Sequence, residues 1–215
     1  MLEIADIRYK EKYVEILLSS EELIKLPLNV FSQYRLGKGT AVDTILYQQL
    51  KEEGEKYSCR QKALGYLAMR GRSSLEMDRY LSRKGFSQKV YRDEVEYLKS
   101  AGLIDDYAFT LNYIRSRRSC KVIGDNLLKR ELIQRGISSR MVDRALRERE
   151  NDSPDFKRIY DLAYRKWKGL NHDKPRLQKI TFYLRQRGFD GKTIRRVQQR
   201  LRKEGETDAP LEEDV

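Results

Sequence analysis

The apolar residues of this chain fall three or four positions apart in short runs, and the runs recur in a fixed order. Leu177, Ile180 and Leu184 form one stripe, Met77 and Leu81 another, and Leu128 and Leu132 a third; each leads to a basic residue followed by glycine. Beyond the glycine new stripes begin: Tyr91, Val95 and Leu98; Val142, Ala145 and Leu146; Ile194, Val197 and Leu201. Spacings of three and four put such side chains on one face of a helix, so each glycine is predicted to separate two amphipathic helices. A further run precedes each pair, "CRQKALGYLAMR", "YAFTLNYIRSRR" and "FKRIYDLAYRKW"; in the last, Phe156, Ile159, Tyr160, Ala163 and Trp167 make an apolar stripe. The pattern predicts three units of three helices.

The junctions are nearly identical. Gly85, Gly136 and Gly188 lie 51 and 52 residues apart. Four before each stands Leu81, Leu132 or Leu184; one before, Lys84, Arg135 or Arg187; one after, Phe86, Ile137 or Phe189; two after, Ser87, Ser138 or Asp190. Glycine closes a helix in the left-handed conformation, the next apolar residue packs back on the last turn, and a basic residue suits the negative helix end. Ser87, Ser138 and Asp190 can accept hydrogen bonds from the free amides of the following helix. Each phrase is thus a tight corner between helices. The first helices of the units are expected to start at Ser58, Asp105 and Ser153, the last with Pro154 in the first helical position, and Ser73 with Glu76 has capping-box spacing.

Residues 1–56 read differently. "ADIRYKEKYVEILLS" mixes β-branched and aromatic residues in partial alternation, turn chemistry follows, and Thr40 with Asp43 could cap a short helix through "VDTILYQQL". The expected organisation is an N-terminal α/β cap over 1–56, three-helix repeats over 57–104, 105–152 and 153–204, and a disordered acidic tail over 205–215.

Charge sharpens this picture. With 45 Lys and Arg against 33 Asp and Glu, the net charge is +12, which favours a polyanionic partner. The excess is uneven: −2 over 1–56, then +5, +3 and +11 for the three units, and −5 for the tail. On the last helix Lys192, Arg196, Arg200 and Lys203 fall within about 80° of arc at 3.6 residues per turn, opposite Ile194, Val197 and Leu201. These four, with Arg187, are the candidate contacts to a phosphate backbone or an acidic protein groove.

Candidate chemistry is scarce. Asp105 and Asp106 are adjacent and so share no helix face; Asp105 reads as a helix cap. His172, the only histidine, sits in a loop-like stretch. "RLGKGT" lacks the first glycine of a phosphate loop and reads as a turn. Cys59 and Cys120 lie too far apart to suggest a zinc site or a disulfide framework, and Cys120 beside "RSRRS" is reactive only if exposed. No catalytic residue, metal or cofactor is expected. Without a signal peptide or membrane span, the expectation is a soluble monomer of a reducing compartment, the cytoplasm.

"KALGYLAMRGRSSLEMDRYLSRKGF", "GLIDDYAF" and "GDNLLKRELIQRGI" resemble the RecX family, bacterial regulators of the RecA recombinase. Residue type and spacing agree for Ala63, Leu64 and Arg70 before Ser73; for Gly102, Asp105, Asp106 and Phe109; and for Gly124, Glu131, Leu132, Gly136 and Ile137, over about residues 57–204. Asp125 stands where the family commonly has proline, and Thr110 where alanine is usual. The expected fold class is mainly α with a small N-terminal strand-containing segment, and the resemblance implies that the three tandem three-helix repeats form an elongated curved rod. It also implies that the rod lies in the groove of the RecA filament on single-stranded DNA, lowering ATP turnover, filament growth and strand exchange in recombination, repair and the SOS response. Single-stranded DNA, and duplex DNA besides, are expected partners alongside RecA; a competing reading is a direct nucleic-acid-binding protein that uses its helix pairs in helix-turn-helix fashion.

Overall fold

The computed structural model describes residues 2–170 and 175–207. His172 and the acidic stretch beyond Thr207 lie outside them. The chain divides into two compact units between Asp105 and Asp106.

The first unit opens with a sheet. β1 (Leu2–Tyr9), β2 (Tyr13–Leu18), β3 (Leu23–Pro27) and β4 (Ala41–Val42) pair antiparallel in the order β3-β2-β1-β4, with a bulge between Ile4 and Asp6. Alternation puts Val14, Ile16 and Leu18 on the buried face, opposite Ile24 and Leu26 of β3. The α1 turn (Leu28–Phe31) contributes Phe31 to this core. "RLGKGT" is a turn in which Gly39, at φ +81°, donates to the Ile4 carbonyl at 2.8 Å.

α2 (Thr44–Met69) corrects the expected start at Ser58. Asp43 caps this helix by accepting from the Leu46 amide at 2.7 Å, and Thr40 instead holds the preceding turn through the Gly37 amide. The helix then runs unbroken for 26 residues, because nothing between Gln48 and Ser58 but Gly54 opposes it. Gly54 is there for close approach: a Cβ would stand 2.8 Å from Ile24 Cγ2, so a side chain would push α2 off β3. The N-terminal half of α2 closes the sheet core with Leu50, and its C-terminal half supplies Cys59 and Ala63 to a second core. The boundary expected at residue 56 therefore falls inside a helix.

That second core is the first three-helix bundle, with α3 (Ser74–Arg83) and α4 (Gln88–Ser100) burying Met77, Leu81, Val90, Val95 and Leu98. Ser73 caps α3, accepting from the Glu76 amide at 3.2 Å. Arg60 of α2 donates two bonds to the buried Glu94 carboxylate of α4 and stacks on Tyr97, so α2 and α4 are held by charge and ring together.

The second unit holds two more bundles. α5 (Asp106–Cys120), α6 (Asp125–Gln134) and α7 (Ser139–Glu148) enclose Ile114, Ile123, Leu128, Leu132, Ile137 and Val142. After a 3-10 turn (Glu150–Asp152), α8 (Phe156–Lys168), α9 (Arg176–Gln186) and α10 (Gly191–Thr207) enclose Ile159, Ala163, Ile180, Leu184, Val197 and Leu201. α8 does not start at Ser153 with Pro154 inside it. Ser153 closes the 3-10 turn, and Asp155 caps the helix through the Arg158 amide at 2.8 Å.

The three corners adopt one geometry. Gly85, Gly136 and Gly188 have φ of +87°, +84° and +85°, the left-handed region open to glycine. In the second and third, the residue after glycine donates to the leucine five before it, four before the glycine (Ile137 to Leu132, Phe189 to Leu184, both 3.1 Å), so that leucine fills the core and accepts the closing bond. Ser138 and Asp190 then cap the next helix through the amides of Met141 and Thr193. Ser87 differs: its side chain makes no capping bond. Its backbone amide donates at 2.6 Å to Glu55 of α2, a carboxylate that only the long helix brings there.

Candidate interaction surface

α10 turns Ile194, Val197 and Leu201 into the third core, and its other side carries exposed Lys192, Arg196, Arg200 and Lys203. Exposed Arg195 and Arg202 widen the cationic face beyond what the helical arc alone selected. Two of its guanidinium groups are not free to wander. Arg196 lies 4.0 Å from the Phe156 ring centroid and Arg200 4.6 Å from that of Tyr160, both rings coming from α8. Phe156, Tyr160 and Tyr164, four residues apart, run along α8 as a ladder with centroids 6.3 and 5.8 Å apart, and Lys168 sits over Tyr164. Contacts of this kind contribute about 0.5–1 kcal/mol each at exposed sites. Their structural effect is to hold the two charges one helical turn apart with their outer faces to solvent.

The cap at the head of this helix is electrostatically consistent. Hydrogen bonds from Thr193, side chain then backbone, hold the Asp190 carboxyl below the usual carboxylate range; Lys192 and Arg195 add to this against partial burial. Asp190 stays ionised at the positive end of α10.

Arg187 does a different job from the other four. It caps the end of α9, half-buried, with its guanidinium over Tyr183 and donating to the Val122 carbonyl of the α5–α6 loop at 3.4 Å. Its own carbonyl accepts from the Gly124 amide at 2.9 Å, and the Gly188 carbonyl accepts from Asn126 at 3.1 Å. α6 has no side-chain cap at Gly124, so its orphan amides are satisfied by the orphan carbonyls of α9. A Cβ on Gly124 would collide with the Gly188 carbonyl, and one on Gly188 with the backbone of Leu127. Gly188 thus serves both a left-handed turn and a backbone-to-backbone contact between two bundles. The helical pattern gave the first and not the second; the pointer was Gly124, a glycine at a helix start without a turn to explain it.

The two departures from the family pattern have local explanations. Thr110 is fully buried and donates to the Asp106 carbonyl one turn back, at 2.6 Å. Asp125 accepts at 2.6 Å from Arg118, a buried arginine whose other terminal nitrogen donates to the Arg149 carbonyl. Asp125 and Arg118 together tie α5, the start of α6 and the end of α7. Asp105 stands immediately before α5. Nearby, burial raises the Glu131 carboxyl, but hydrogen bonds from Arg117 (2.9 Å) and Tyr113 (2.8 Å) outweigh it and hold the group below its ordinary range.

Among the described residues no group of three or more His, Cys, Asp or Glu side chains is placed to hold a metal ion. Cys59 is buried, which pushes its thiol up to about 12, and Cys120 is exposed at the end of α5. No described helix is long and apolar enough to cross a membrane.

Comparison with known proteins supplies the family. The model of the RecX first three-helix domain matches residues 59–98, and that of the second matches 105–146. The regulatory protein RecX of Prosthecochloris aestuarii is 35% identical over 137 residues, covering 63% of this chain and 88% of that protein. That of Chlorobium limicola is 31% identical over 141 residues (65% and 86%), and that of Streptococcus agalactiae serotype V is 23% identical along 100% of this chain and 82% of its own. A crystal structure of regulatory protein RecX superposes with a TM-score of 0.71 at 20% identity, over 93% of this chain and 100% of that one. RecX from Lactobacillus salivarius gives 0.59 at 21% identity, over 68% and 96%. At these identities the two structures attest the fold.

Proposed function

This chain belongs to the RecX family, and from that premise we propose that it regulates the RecA recombinase by binding the RecA filament on single-stranded DNA, lowering ATP turnover, filament growth and strand exchange. It acts by binding and performs no chemistry of its own. Each three-helix unit has its own core, so one chain offers successive binding faces and engages more than one protomer.

The observation that carries the contact assignment is the face of α10. Lys192, Arg196, Arg200 and Lys203 are exposed on one side of a helix, and Arg196 and Arg200 are held in place by Phe156 and Tyr160. Charges already ordered lose less freedom when they meet phosphate or carboxylate. Arg187, engaged with Val122, contributes by holding the third corner to α6. We do not assign the helix pairs a groove-reading role, because the third corner is packed against the start of α6.

The test is RecA's single-strand-dependent ATP hydrolysis with substoichiometric amounts of this protein. Turnover should fall, and replacing Lys192, Arg196, Arg200 and Lys203 together by Gln should restore most of it and flatten the salt dependence of binding. Unchanged turnover with the wild-type chain, under conditions where filaments form, would falsify the reading. Inhibition that survives the fourfold substitution would reduce the α10 face to ordinary solvated surface.

A further inference from the structure

A second cationic face, built from α8 and α9 rather than α10, carries an aromatic ring with no place in the core. α9 turns Ile180 and Leu184 inward, yet Phe182 between them is 63% exposed. It stands at the rim of a groove of about 510 Å³ that Lys166 and Leu170 line from the α8 side, and Gln178, Lys179 and Gln186 from α9. A lone exposed phenylalanine is ordinary. This one has organised surroundings. Two lysines, Lys166 and Lys179, line the groove, and no Asp or Glu does. Gln178 and Gln186 lie four residues before and after Phe182, which puts a planar amide on either side of the ring along the same helix face.

We propose that this groove binds single-stranded nucleic acid, with one base stacked on Phe182 and the neighbouring phosphates against Lys166 and Lys179. The ligand must offer a flat apolar surface beside negative charge, and a nucleotide does both. The flanking amides each carry donors and an acceptor suited to a base edge. Duplex does not fit, because its bases present no free face; stacking on an exposed aromatic ring with cations around it is how single strands are held without regard to sequence. An acidic protein segment with an apolar side chain would match the charge and fill the groove, but would leave the paired amides without a purpose. The assignment is independent of any action on RecA.

The experiment uses the full-length protein and a single-stranded oligonucleotide carrying 2-aminopurine, read by fluorescence at moderate salt, beside an abasic strand of equal length. Wild-type protein should change the emission on binding. Phe182→Leu should weaken binding to the base-bearing strand by roughly 5- to 100-fold, the range for loss of one stacked base, and Phe182→Trp should restore it. On the abasic strand Phe182→Leu and wild type should bind alike. Because Phe182 is exposed, the leucine variant should keep its circular dichroism and melting point. Equal affinity of wild type and Phe182→Leu for the base-bearing strand overturns the proposal, as does an equal loss on the abasic strand. If Phe182→Leu binds DNA normally but no longer lowers RecA's ATP turnover, the groove belongs to a protein partner and the proposal is again overturned. Should wild-type protein leave RecA untouched while the Phe182-dependent signal persists, the regulatory reading fails and this one stands.

Discussion

Gly85 and Gly188 share a left-handed backbone and a place in the repeat, yet alanine should not cost the same at both. At Gly85 an added Cβ meets nothing within 4 Å, so Gly85→Ala is expected to lose only the conformational term, about 1–2 kcal/mol. At Gly188 the same Cβ strikes the Leu127 backbone. Gly188→Ala must therefore also displace the start of α6 and its two bonded amides, for a loss of at least about 3 kcal/mol. Urea denaturation of the two variants decides it; equal losses would mean that the contact between the bundles contributes nothing. The turn at Gly188 was legible in the sequence because a helical stripe stops there and another starts. Its partner was not, since Gly124 lies in another repeat and no periodicity links the two.

Glu131 is a second residue-scale case. Its carboxyl is held below the ordinary value of 4.5, so its stabilisation is fully present above that value and is lost as pH falls through the lower folded one. Glu131→Gln should cost about 1–3 kcal/mol at pH 7, as expected for hydrogen bonds to a charged group. The gap from wild type should narrow below pH 4.5. A gap that stays constant down to pH 3 would show that Glu131 acts through packing alone.

At the scale of elements, α2 shows what pattern reading misses. Ser58 looked like a helix start because it precedes an apolar run, but a capping residue ends a helix backward only where the preceding residues resist helix, and "LKEEGEKY" does not. The same helix holds two glycines with opposite expectations. Gly65 is exposed with open space where its Cβ would be, so Gly65→Ala should raise stability by up to about 1 kcal/mol through helix propensity. Gly54→Ala gains the same propensity but drives a Cβ into Ile24, whose branched side chain is buried under the helix, and should lose about 1–2 kcal/mol net. Thermal denaturation of the pair checks both; a stabilised Gly54→Ala would mean that α2 does not press on β3. The helix stripes of all three bundles were legible because an amphipathic face requires them. The bond at Ser87 was not: its side chain makes no capping bond, and its backbone amide is taken instead by Glu55, on a helix whose length the pattern did not reveal.

For the whole molecule, the concentration of charge in the third repeat could be counted directly, since most ionised side chains stay at the surface whatever the fold. What could not be counted was the division of that charge into faces. Arg196 and Arg200 lie on rings of α8, Arg187 is spent on a carbonyl of the neighbouring bundle, and Lys166 and Lys179 flank a ring on α9. The sequence presents them as one basic region, and the fold separates them by assigning each helix a side.

The amide protons of Gly124 and Asn126 belong to the second bundle, but their acceptors belong to the third. Their exchange with solvent deuterium therefore depends on a neighbour's integrity and not only on their own helix. Any ligand that tightens or loosens the third bundle would be reported at two positions it never touches, giving this family member a built-in reporter, at single-residue resolution, of whether its most basic domain is engaged.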